Sequence, residues 1–85
     1  MQYIHPTEPQ QLAVQARLNM LLGRTVFDKY FLGFEIRDVC DHTINVVVQG
    51  EVRAEAVETN YSLHVAIVAE SILRRPIKFV NVLPK

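Results

Sequence analysis

Tryptophan is absent from this 85-residue chain, cysteine occurs once and glycine three times. The single Cys40 rules out an internal disulfide and a zinc cluster built on cysteines. Nothing therefore demands an oxidising compartment, and a cytoplasmic setting is expected. Gly23, Gly33 and Gly50 stand alone, each at the end of a patterned segment, so no glycine loop is available to cradle a phosphate. A Gly-x-x-Gly loop between two helices, the feature of one class of RNA reader, is also missing. Nine basic and nine acidic residues cancel, which leaves no general attraction to nucleic acid or anionic lipid. No apolar run approaches the ~20 residues that cross a bilayer. Residues 1–9 lack the basic start and apolar centre of a signal peptide. No membrane partner is expected.

Reactive constellations are equally scarce. His5, His42 and His64 share no metal-ligand spacing. Asp38, Asp41 and His42 cluster in one segment, but aspartate is expected in turns because its side chain bonds the local backbone. Cys40 has no base beside it and no nucleophile motif around it. The expectation is a non-enzymatic protein with no catalytic, cofactor-binding or metal residues.

What is present is enough greasy material to fold. The chain is 49% hydrophobic and 21% charged, outside the range of disordered tails. It reads as one domain over residues 1–85, without linker or repeat. A domain of this size buries only about 60–65% of its unfolded surface, so a bound partner can add appreciably to its stability.

Residues 1–6 form an extended lead-in, with Tyr3 and Ile4 able to tuck onto the domain. Thr7 followed three residues later by Gln10 is a capping pair, and Pro9 suits a first turn. The helix they start runs to Leu22, and Gly23 can close it in the left-handed conformation. Thr25 opens a short second helix with Phe27, Tyr30 and Phe31 on one face, ended by Gly33. Phe34 and Ile36 alternate with Glu35 and Arg37 as a strand, and residues 38–43 supply a turn. A second strand follows, with Ile44, Val46 and Val48 pointing one way and Asn45, Val47 and Gln49 the other. A long helix spans Glu51 to Arg75, stopped by Pro76, and a last strand covers Ile77 to Leu83. The order helix, helix, strand, strand, helix, strand predicts an α+β sandwich with a three-stranded sheet.

Both main helices are apolar on two sides. In the long helix Ala54, Val57, Tyr61, Val65, Val68 and Ile72 follow one stripe, while Val52, Ala56, Leu63 and Ile67 follow another, roughly 150° around the axis. In the first helix Val14, Leu18, Leu21 and Leu22 form the core stripe, with Leu12, Ala16 and Met20 on nearly the opposite side. A rim helix of a small domain needs one stripe. The second must meet another layer or another molecule. Arg74, Arg75 and Lys78 form the one basic cluster, which suits a helix C-terminus and also a weak contact to single-stranded nucleic acid, with Phe79 or a tyrosine stacking.

From about residue 10 to residue 83 the chain resembles the N-terminal domain of the bacterial replication initiator DnaA. Leu18, Leu22, Phe27, Tyr30, Phe31 and Phe34 match that family's leucine-rich first helix and following aromatic motif, with Tyr30 at its tryptophan. Ile44, Val46 and Val48 match its second strand, Tyr61 its helical tyrosine, and Phe79 with Val80 its last strand. Val26 replaces an acidic residue, Gly33 a proline, and Gln49 to Val52 a Pro-Asn step and an aromatic, at or near positions that help the family dock a helicase. The resemblance implies a KH-like fold and an assembly module that pairs weakly with itself through its first helix. It also implies a replication protein as partner: an initiator, a replicative helicase or a regulator. The interface residues then expected are Leu12, Ala16, Met20, Val26 and Val52; Arg74, Arg75 and Lys78 are the alternative, nucleic-acid contact.

Overall fold

A computed structural model describes residues 2–85; Met1 lies outside the described residues. The chain runs β1 (Tyr3–Ile4), α1 (Glu8–Leu22), α2 (Arg24–Tyr30), β2 (Glu35–Cys40), β3 (Thr43–Val48), α3 (Glu51–Asn60), α4 (Ser62–Leu73) and β4 (Phe79–Pro84). The class is α+β, but the sheet has four strands, not three, and the element order is longer than the sequence pattern predicts. The extra strand is the lead-in: Tyr3 and Ile4 pair antiparallel with Cys40 and Val39. Two residues carry no alternation, so periodicity had nothing to detect.

The strand order is β1-β2-β3-β4. The β2–β3 hairpin is antiparallel and turns through only Asp41 and His42, so the six-residue turn expected from Asp38 onward is mostly strand. Asp41 takes φ 55°, a conformation that aspartate tolerates better than most residues. A bulge at Arg37 shifts the register between Ile36 and Asp38, and so lets both Ile36 and Val39 face the core despite their odd spacing. β4 returns after two helices and joins β3 in parallel, as the long crossover requires.

Among the described residues, α1 alone of the four helices starts on a side-chain cap. Thr7 and Gln10 exchange the reciprocal bonds of a capping box at the head of α1, Gln10 N–H to Thr7 Oγ1 at 3.3 Å and Thr7 N–H to Gln10 Oε1 at 2.9 Å. Gly23 ends α1 and caps α2 with φ 88° and ψ 153°. That is not the left-handed helical region but one open essentially to glycine alone, and α2 consequently starts at Arg24. The long helix is interrupted at Tyr61 (φ −128°, ψ 7°), giving α3 and α4. The apolar spacing passes through this break unaltered, which is why the sequence pattern reads as one helix. α4 then closes at Arg74 in the left-handed conformation, φ 57°.

One core joins these layers. Val14 and Leu18 of α1, Ala54 and Val57 of α3, and Val65, Val68 and Ala69 of α4 are buried with the inward residues of the sheet. The aromatic residues meet around Phe31, which is 2% exposed. Its ring stacks on Phe27 at 5.4 Å and lies against Phe34 at 5.5 Å and Tyr61 at 5.8 Å, with Tyr30 a further 5.6 Å from Tyr61.

α1 is also tied to the sheet by polar contacts. β1 covers β2 only at Val39 and Cys40, and beyond that point glutamine side chains take over its edge. Gln11 accepts from Ile36 N–H at 2.9 Å and donates to Ile36 O at 2.6 Å; Gln15 donates to Phe34 O at 3.2 Å. Two amides one helical turn apart thus stand in for a missing strand. At the opposite edge, Val82 N–H of β4 donates to Glu58 Oε1 at 3.3 Å, and Pro84 has no N–H to offer.

Candidate interaction surfaces

The second stripes of both helices lie at the surface. On α1, Leu12 is 56% and Met20 79% exposed, and Ala16 between them is exposed as well. Leu21, expected in the core, is exposed too, and Leu22 alone closes the inner face at that end. Burial of Gln11 and Gln15 toward β2 explains the offset: they occupy the inner flank that a purely apolar reading assigns to leucine. Val26 is half-buried.

Along α3 and α4, Val52 is 83%, Leu63 68% and Ile67 57% exposed, with Ala56 half-buried among them. Val52 therefore belongs to this ridge rather than to the α1 face. Beside the ridge an open groove of ≈ 440 Å³ runs between the start of α4 and the start of β4, lined by Leu63, Ala66, Lys78, Phe79 and Val80 among others. Phe79 stands on its rim, 65% exposed.

The basic residues do not converge on a cleft. Arg74 and Lys78 are exposed and Arg75 is half-buried. Lys78 and Phe79 are held in place through their backbone N–H groups, which both donate to His42 O, at 2.7 and 3.1 Å. Among the described residues the one ion pair is Arg24–Asp28, 3.6 Å apart on the surface of α2.

The side chains of the Asp38, Asp41, His42 segment divide between the strand and the turn. Asp38 accepts from Asn45 Nδ2 at 2.6 Å, and Asn45 in turn accepts from Asn81 Nδ2 at 3.2 Å, a polar ladder across three strands. Asp41 and His42 are exposed at the turn. No group of three or more His, Cys, Asp or Glu side chains that could hold a metal ion occurs among the described residues. The ladder lies on the outer face of the sheet, between a row containing Tyr3, Cys40, Thr43 and Phe79 and a row of Glu35, Val47 and Leu83. Sequence alternation set Asn45 on the face opposite Ile44, Val46 and Val48, but it placed Asp38 in a turn and could not pair Asn45 with Asp38 or Asn81, since register is a property of the folded sheet. Among the described residues no helix is long and apolar enough to cross a membrane.

No protein-family model matches the chain, and no curated protein matches it either.

Proposed function

We propose that this domain is a non-enzymatic protein-interaction module of replication initiation, related to the N-terminal domain of DnaA, that works in the cytoplasm. It associates with itself and docks a replication protein: an initiator, a replicative helicase or a regulator. The outer face of α1 is the docking surface. The observation that supports this reading is the exposure of Leu12 and Met20 either side of Ala16 on a helix whose other face is fixed to core and sheet. Apolar side chains repeated every four residues on a rigid helix face suit the helix-in-groove mode of protein recognition. The fold is compatible: with β1 set aside and α3 and α4 taken as one bent helix, the order reduces to the α-α-β-β-α-β of the KH-like expectation.

The test is binding of purified DnaA-type initiator and replicative helicase to the wild-type domain and to a Leu12→Glu, Met20→Glu variant. The substitutions sit in solvent, so the circular dichroism spectrum should stay unchanged while binding to one of the two proteins falls at least tenfold. Equal binding by both forms, or none by the wild type, overturns the reading. A second reading, contact with single-stranded nucleic acid through Arg74, Arg75 and Lys78, draws on Phe79 standing exposed next to Lys78. It requires binding to a labelled oligonucleotide that weakens steeply with salt.

A further inference from the structure

We draw no further inference here: the strongest candidate, the outer face of the sheet where Tyr3 and Phe79 stand exposed in one row, carries the carboxylates of Glu35 and Asp38 as well as the neighbouring Lys78, so its charge selects no occupant and nothing in the structure shows what covers it.

Discussion

Replacing Gln11 with alanine should destabilise the domain far more than a half-exposed helical glutamine normally would. The side-chain amide bonds both polar groups of Ile36, at 2.9 Å and 2.6 Å, on a stretch of β2 that β1 does not cover. Ile36 itself is 2% exposed. Leaving a buried donor or acceptor unpaired costs about 1–3 kcal/mol, and partial access of water to this edge lowers the figure for each group. A loss of about 2 kcal/mol follows for the pair, against about 0.5–1.5 kcal/mol for Gln15→Ala, which removes a single 3.2 Å bond to Phe34 O. In a domain of this size each kcal/mol lowers the melting temperature by about 4–8 °C. Urea unfolding should show a lower midpoint with an unchanged slope, because the surface exposed on unfolding is the same. Native-state hydrogen exchange gives the sharper reading: the Ile36 amide should lose protection selectively in Gln11→Ala. Gln11→Glu offers a control, since its ionised carboxylate keeps an acceptor for Ile36 N–H but cannot donate to Ile36 O. A Gln11→Ala cost below about 0.5 kcal/mol, the scale of an ordinary surface change, with Ile36 exchange unaltered, would refute the clamp.

Two further perturbations probe the frame. Phe31→Ala removes the ring at the centre of the aromatic cluster and should cost about 3–5 kcal/mol, enough to leave little folded protein in a domain this small; loss of the cooperative thermal transition is the readout. Gly50→Ala should cost about 1–3 kcal/mol by chemical denaturation although its new methyl group meets no atom within 4 Å, because φ 85° and ψ 154° are open essentially to glycine alone.

Much of the fold was legible in hydrophobic spacing because most of the fold is hydrophobic spacing. Ile44, Val46 and Val48 alternate and are buried; Ala54, Val57, Val65 and Val68 recur at helical intervals and are buried. What escaped were features with no period. The bulge at Arg37, the break at Tyr61 and the two residues of β1 are each too local to alter a pattern read over a dozen residues. Gln11 and Gln15 escaped for a different reason: a polar residue on a helix is presumed to face water, and only the sheet edge shows what they bond. Their spacing of four, next to the Val14–Leu18 stripe, was the available signal. The exposed stripes were legible as surplus apolar surface, and Leu12, Ala16, Met20 and Val52 are exposed. The residues that carry the likeness to DnaA are another matter. Phe27, Tyr30, Phe31, Phe34 and Tyr61 converge in the interior or pack against it, so they bear on architecture and say little about partners.

The guarded margin of β4 has a bearing on behaviour at high concentration. A ribbon whose outermost strand ends in an imino acid, with a neighbouring glutamate already engaging one amide, gives incoming chains a poor template for continuous hydrogen-bonded stacking. The far margin, only two residues long, is no better a seed. Crowding should thus yield finite clusters held by side chains, and fibrous deposits should stay rare even where the domain is abundant.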